Sequence, residues 1–368
     1  MKCPAAIADG YGAFTLDQIE VDAPFTDEVL VRMKAAGICH TDHASMGWKR
    51  PLVMGHEGAG VVEAVGEGVT NVQIGDRVVL NWAIPCGRCF QCRGGNEVLC
   101  EWSKPAHVLR PSAGHAHAEG TRWLGRPIDR SFNLGTLCGY ALVRKEAVTA
   151  LPDSVAFASG CIAGCGVMTG FGSVVNVADV QAGQSVAVIG CGGVGLNVIQ
   201  GARIARAARI IAVDVHKDAL ARARTFGATH ALLATRDDHE FRKIAAKVRA
   251  LTDDRGADFA FEATSIPELA FTPLRLIRDG GLALQVSGIN SRVNVPMPWF
   301  MWNKRYVTPL YGGCVPARDF PRIFRHYESG ELRLDELVTR SYHLGQLSEA
   351  LDDMMTGRNA KGVILFDH

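Results

Sequence analysis

"SVAVIGCGGVGLNVIQGARIARAARIIAVDV", residues 185–215, decides the fold. It opens with a short apolar, β-branched run and passes through a glycine-rich turn. An amphipathic helical pattern follows, and a second apolar run closes it. Such an order is a βαβ unit, in which the two strands lie parallel. The turn "GCGGVG" fits G-x-G-x-x-G at Gly190, Gly192 and Gly195, with Gly193 and Val194 before the last glycine. Gly190 permits the turn, Gly192 lets the backbone approach a pyrophosphate, and Gly195 allows close helix–strand packing. The helix that starts here offers free N–H groups and a positive dipole end to phosphates. Asp214 ends the second strand, where a carboxylate accepts both ribose hydroxyls of adenosine. A 2′-phosphate would meet its charge, so NAD is favoured over NADP. Alone, the glycines would read as a tight turn and Asp214 as a solvated strand end; together they point to a dinucleotide.

Working outward, the alternation repeats in "ALARARTFGATHALLA", "FRKIAAKVRALTDDRGADFAFEAT" and "AFTPLRLIRDGGLALQVSGI". The fold class is therefore α/β, with a doubly wound parallel sheet expected over 167–310. Residues 1–166 differ. "EVLVRMKAAGI" and "GAGVVEAVGEGV" are near-alternating and punctuated by glycine, which predicts a β-rich, partly closed domain. From about residue 311 helix and strand mix again, and "KGVILFDH" predicts a last strand. Segment 311–368 is assigned to the first domain.

The 368 residues are 48% hydrophobic and 21% charged, with a net charge of +1. Such a balance excludes a strong field for nucleic acid or an anionic membrane. No apolar run approaches the roughly 18 residues of a membrane span. The N-terminal stretch lacks a signal-peptide pattern, so a cytoplasmic setting is expected. In a reducing compartment, bunched cysteines bind metal more often than they pair. Of 11 cysteines, four sit in "CGRCFQCRGGNEVLC" as Cys86, Cys89, Cys92 and Cys100. The spacing C-x2-C-x2-C-x7-C can close a tetrahedron of thiolates around a structural zinc. An iron–sulfur cluster is the alternative, but the cluster run continues x3-C-P and this one does not.

A second set is sparser. "AAGICHTDHASMGWKRPLVMGHEGAG", residues 35–60, carries Cys39 and His56. "CIAGCGVMTG" offers Cys161 or Cys165 as a third ligand. Two sulfurs and one nitrogen leave the open position that a catalytic zinc needs. Asp42 and Glu57 flank these ligands; an acid beside a metal-bound His fixes its tautomer. The plainer readings are turn capping by Asp42 and a solvated Glu57.

"GICHTD", "GHEGAG", "VGEGVTNVQIGDRVV", the four-cysteine lobe, "GCGVMTG", "GCGGVG" and "GELRLDELVT" together resemble the zinc-containing alcohol dehydrogenases of the medium-chain dehydrogenase/reductase superfamily. The resemblance spans nearly the whole chain. It implies a GroES-like catalytic domain and a Rossmann domain, with NAD and two zinc ions, one catalytic and one structural. It places the catalytic ligands at Cys39, His56 and Cys165, deciding against Cys161. Thr41 falls on the hydroxyl that bonds the alcohol, Asp42 on the partner of the His ligand, and Glu57 on an acid behind the metal. His40 falls on a pyrophosphate contact, Thr169 on a position beside the nicotinamide, and Lys361 on a basic position near the cofactor phosphates. Trp82 matches a pocket-lining aromatic position, and Trp48 is read as a second wall. A proton relay would end in a His five residues after Cys39. Ala44 stands there, with His43 beside it as a substitute.

The segment 103–132 resembles the long pocket-covering insertion of the animal-type and glutathione-dependent branches, with Lys104 at an anion-binding position. The acids that hold the thiol adduct are missing from "HASMGWKRPLVM", which counts against that substrate. The implied reaction is reversible oxidation of a primary, apolar or aromatic alcohol to its aldehyde in a cleft between the domains, with Thr41 taking the proton and NAD the hydride. S-(hydroxymethyl)glutathione is the alternative substrate. A zinc-free quinone or enoyl reductase and a catalytically inert homologue are alternatives of other kinds. The resemblance also implies a homodimer, with a tetramer as the alternative.

Overall fold

The computed structural model describes residues 1–103, 120–235 and 237–367. Lys104 and most of the 103–132 insertion lie outside the described residues. The chain divides into two units. The first comprises Met1–Cys165, Val315–Gly330 and Leu334–His368; the second comprises Gly166–Cys314 and Glu331–Arg333.

The first unit is built on two mostly antiparallel sheets. In one, Lys2–Ala8 pairs with Phe14–Val21 on one side and Leu52–Val53 on the other. The other is centred on Glu28–Gly37, whose apolar run is buried along almost its whole length. Three strands pair with it antiparallel: Gly58–Val65, Tyr140–Arg144 and Gly362–Leu365. Register here positions chemistry. Ala36 lies opposite both Gly58 and Ile364, so the residues just beyond these ends, Cys39, Glu57 and Lys361, must converge. The pattern "KGVILFDH" is the strand Gly362–Leu365, 325 residues from the N-terminal partner it completes (362 against 37).

The second unit holds a sheet of six parallel strands among the described residues. Its order is His230–Leu233, Arg209–Asp214, Ser185–Ile189, Ala257–Glu262, Ile277–Gln285 and Arg305–Val307. In chain order this reads 3-2-1-4-5-6, with the reversal at Ser185–Ile189, where ligands bind in doubly wound sheets. Helices Gly193–Ile204, Lys217–Phe226 and Arg242–Ala250 form the crossovers. Ile189, Ile211, Val213, Ile244, Val248 and Leu274 close one core of this unit. No single helix among the described residues is long and apolar enough to cross a membrane.

Candidate active site

The segment after Glu28–Gly37 reads as strand and turn, yet it forms a short helix, His40–Ser45, with Cys39 at its N-terminal cap. Asp42 explains the difference. Its Oδ2 accepts the Cys39 backbone N–H at 2.9 Å, closing the first turn. Its Oδ1 accepts from His56 Nδ1, also at 2.9 Å. One fully buried carboxylate thus caps the helix and fixes the imidazole tautomer that leaves the Nε2 lone pair free.

Cys39, His56, Glu57 and Cys165 bring one donor atom each to within 4.8 Å of one another. Cys165 arrives because Gly164 has no side chain: a Cβ there would stand 2.5 Å from the Leu80 carbonyl oxygen. Gly37 makes room on the other side, where a Cβ would stand 2.0 Å from Glu57 Oε2. Cys161 is not in this group. Its buried thiol donates to the Ala158 carbonyl at 3.2 Å and is pushed well above its ordinary pKa by burial.

The donor set fits a divalent metal. His56 Nε2 and Glu57 Oε2 are buried and lack any hydrogen-bond partner, a costly arrangement for polar atoms unless a cation completes it. The protonation pattern agrees. Cys39 is held well below its ordinary value, first by a hydrogen bond from Cys165 and then by His56, against burial. Cys165 is raised well above it by that bond and by burial. Burial opposes charge on His56, yet Asp42 raises its pKa well above the ordinary value. Without a cation the set therefore shares protons; a zinc ion would displace them.

One plain reading changes. The plain reading of Glu57 as solvated fails: it is fully buried, and its Oε1 accepts from Lys361 Nζ at 2.5 Å. Lys361, expected near the cofactor phosphates, is 8% exposed, and its ammonium also donates to the Ile38 carbonyl at 2.9 Å. Both contacts lie beside the metal donors. Burial pushes Glu57 up to about 7, opposed by Lys361, while Glu57 keeps the lysine charged against its own burial. Thr41 is half-buried and His43 exposed, and two positions along a helix turn a side chain by about 200°. The two side chains therefore leave the helix in different directions. His40 is likewise exposed.

Trp48 and Trp82, expected as walls, meet on a residue the sequence did not single out. Phe132 lies 5.9 Å from Trp48, 5.1 Å from Trp82 and 4.8 Å from the His56 ring, centroid to centroid.

The sulfurs of Cys86, Cys89, Cys92 and Cys100 also lie within 4.8 Å of one another. Cys89 caps the short helix Phe90–Arg93 and accepts from Cys92 N at 3.4 Å, while Cys100 accepts from Cys86 N at 3.3 Å. Backbone N–H groups aimed at sulfur favour thiolates. All four corners are protein atoms, so such a site is closed.

In the second unit, Gly190 has φ +90°, and a Cβ on Gly195 would stand 1.9 Å from the Gly190 carbonyl oxygen. A Cβ on Gly192 would meet open space, so the backbone is bare where a ligand approaches. Asp214 takes on a task not foreseen: Oδ2 accepts the Cys191 N–H at 2.8 Å and Oδ1 the His216 N–H at 2.9 Å. It braces the glycine turn. Gly170 packs against the same turn, since its Cβ would stand 2.5 Å from the Val194 carbonyl oxygen. Thr169 precedes Gly170 in the same helix, Gly166–Gly172.

Residues 26–153 match the family described as the alcohol dehydrogenase GroES-like domain, and residues 193–329 the family described as zinc-binding dehydrogenase. Alcohol dehydrogenase 6 of Peromyscus maniculatus is 35% identical over 377 residues, covering 99% of this chain and 98% of that one.

The chain belongs to the zinc-containing alcohol dehydrogenases of the medium-chain superfamily.

It is an alcohol dehydrogenase with a GroES-like and a Rossmann domain. Among solved structures, an alcohol dehydrogenase zinc-binding domain protein from Burkholderia ambifaria superposes with TM-score 0.90 at 31% identity over the full length of both chains. Benzyl alcohol dehydrogenase from Acinetobacter calcoaceticus gives TM-score 0.89 at 29% identity, again over both full lengths. In this dehydrogenase the residues without an obvious sequence signal are Phe132, Ile38 and Thr136. Thr136 Oγ1 donates to the Glu57 carbonyl at 2.9 Å. Phe132 and Thr136 lie outside the quoted motifs, and Ile38, although inside "GICHTD", takes part through its backbone carbonyl.

Proposed function

We propose that this dehydrogenase uses zinc and NAD to interconvert primary alcohols, apolar or aromatic, with their aldehydes. One observation carries the reading: the unpartnered, buried Nε2 of His56 shares a 4.8 Å cluster with two thiols and a carboxylate. Bound there, zinc supplies the Lewis acidity that lowers an alcohol's pKa, and NAD supplies the hydride acceptor. Cys39, His56 and Cys165 hold the metal, and a second ion sits in the Cys86, Cys89, Cys92 and Cys100 lobe. Asp42 keeps His56 in its ligating tautomer. Glu57, held back by Lys361, balances charge behind the donors. Thr41 Oγ1 would accept the proton of the substrate hydroxyl while releasing its own toward the coenzyme ribose, so it relays the proton and stays neutral. Trp48, Trp82 and Phe132 present apolar faces that exclude water and favour an uncharged, apolar substrate. The helix at Gly193 holds the NAD pyrophosphate, with Asp214 on the adenosine ribose and Thr169 near the nicotinamide.

The cytoplasm suits a chain whose 11 cysteines are all free. A homodimer forms through the outer strand Arg305–Val307, which has one partner strand among the described residues. Beside it Trp302 is 70% exposed and Met301 53%, apolar area that pairing would cover.

A kinetic panel of benzyl alcohol, hexanol and S-(hydroxymethyl)glutathione with NAD and NADP, with zinc measured on the same sample, tests the reading. Turnover of the first two with NAD supports it. Turnover of the thiol adduct alone, or full activity without zinc, contradicts it.

A further inference from the structure

We propose that Phe132 is a positioning residue that fixes the plane of the metal-ligating imidazole of His56. The proposal rests on the zinc reading above and adds a role for a side chain outside every recognised motif.

An imidazole tied only by Nδ1 to Asp42 remains free to rock about that bond, which swings Nε2 off line. The Phe132 ring covers one face of it at 4.8 Å with an interplanar angle of 31°. Phe132 is itself held. Its backbone is left-handed, φ 53° and ψ 29°, and Asn133 follows at φ 60°. Neither is glycine, so the conformation persists only because its surroundings impose it. Those surroundings are the backbone around His56. Leu134 and Gly135 N–H groups both bond the Ser131 carbonyl, at 2.9 and 3.1 Å, closing the turn. Just beyond, Leu137 N–H bonds the Met54 carbonyl at 2.9 Å and Thr136 N–H the Gly55 carbonyl at 3.1 Å. Thr136 Oγ1 bonds the Glu57 carbonyl at 2.9 Å. These contacts fall on both sides of His56 in the chain. Gly55 is required for the approach, since its Cβ would stand 2.4 Å from Leu137 N. The segment that strains Phe132 is thus fastened to the segment that carries His56, and ring and imidazole move together. Trp48 and Trp82 also pack on Phe132, at 5.9 and 5.1 Å between ring centroids, and restrict its swing.

The test uses the full-length holoenzyme and the variants Phe132→Ala, Phe132→Leu and Phe132→Tyr. Cobalt(II) is exchanged into the Cys39, His56, Cys165 set, and its visible ligand-field bands are recorded. Loss of zinc to a chelator is timed in parallel. Phe132→Ala is expected to shift the bands and to speed zinc release about tenfold, in the range for residues supporting metal ligands. kcat for a short alcohol falls more than KM changes. Phe132→Tyr keeps the aromatic face and restores wild-type bands. If Phe132→Ala does not fold, Phe132→Leu carries the same readouts. Wild-type bands and zinc release in the folded Ala or Leu variant, with only KM or melting temperature altered, overturn the proposal. A wild-type protein that takes up no cobalt at this set overturns the zinc reading itself, and the proposal with it.

Discussion

Asp42 Oδ1 lies 2.9 Å from His56 Nδ1 while Asp42 Oδ2 closes the turn on Cys39, so one carboxylate governs two of the metal donors at once. Asp42→Asn preserves size and one acceptor, but the amide can present N–H where His56 needs an acceptor. Zinc affinity at this set is expected to fall about 10- to 100-fold, the usual effect of losing such a partner. Competition with a chelator, read against the unchanged four-cysteine lobe, measures it. An affinity within twofold of wild type would remove Asp42 from the account.

Lys361 is the sole cation hydrogen-bonded to the buried Glu57 among the described contacts. Lys361→Met leaves that carboxylate buried without its partner, at an expected cost of about 3–5 kcal/mol. The double variant Lys361→Met/Glu57→Gln should recover much of the loss, since neither charge remains. Denaturant titration of the single and double variants reads both values. Equal stability of all three proteins would show that the pair is not coupled.

These two cases mark what the sequence makes legible. The four-cysteine lobe reads easily because its donors lie within one 15-residue stretch, Cys86 to Cys100. Gly190, Gly192 and Gly195 read because a strand precedes them and a helix follows. Asp42 offered two roles that looked exclusive, and only coordinates show both served by separate oxygens. Glu57 and Lys361 stand 304 positions apart, and only the strand register at Ala36 brings them together. Nothing marks Phe132, because its left-handed backbone falls on "FN", not on a glycine. Cys165 and Cys161 cannot be told apart by spacing; what separates them is the approach that Gly164 allows to Leu80.

Asp214 braces the glycine turn, and the proposed NAD reading also gives its charge the task of rejecting a 2′-phosphate. Asp214→Asn is expected to lower the preference for NAD over NADP by at least tenfold. It should also weaken binding of both cofactors, because the brace on Cys191 and His216 loses its charge. Kd values for the two coenzymes by fluorescence titration decide. An unchanged NAD to NADP ratio would assign the discrimination elsewhere.

Asp258 ties the start of two parallel strands, accepting from Ser185 N–H at 2.8 Å, Ser185 Oγ at 2.7 Å and Arg278 Nε at 2.7 Å. Burial alone would raise its pKa, but Arg278 and Ser185 outweigh it and hold the carboxyl below its ordinary value. A depressed pKa means that the folded protein binds fewer protons than the unfolded chain. The stabilisation is therefore present above the unfolded value near 4 and is lost as pH falls through the lower folded value. Asp258→Asn should cost about 1–2 kcal/mol at pH 7. The gap between variant and wild type should close toward pH 3 in urea titrations. A gap that widens on acidification would reverse the assignment.

The central claim is a metal held by Cys39, His56 and Cys165, and zinc quantitation of Cys165→Ser beside the wild type tests it most directly. The account predicts one ion per chain for each donor set in the wild type, loss of the ion at this set alone in the variant, and alcohol oxidation below a thousandth of wild type. Unchanged zinc content with activity retained in Cys165→Ser would contradict it.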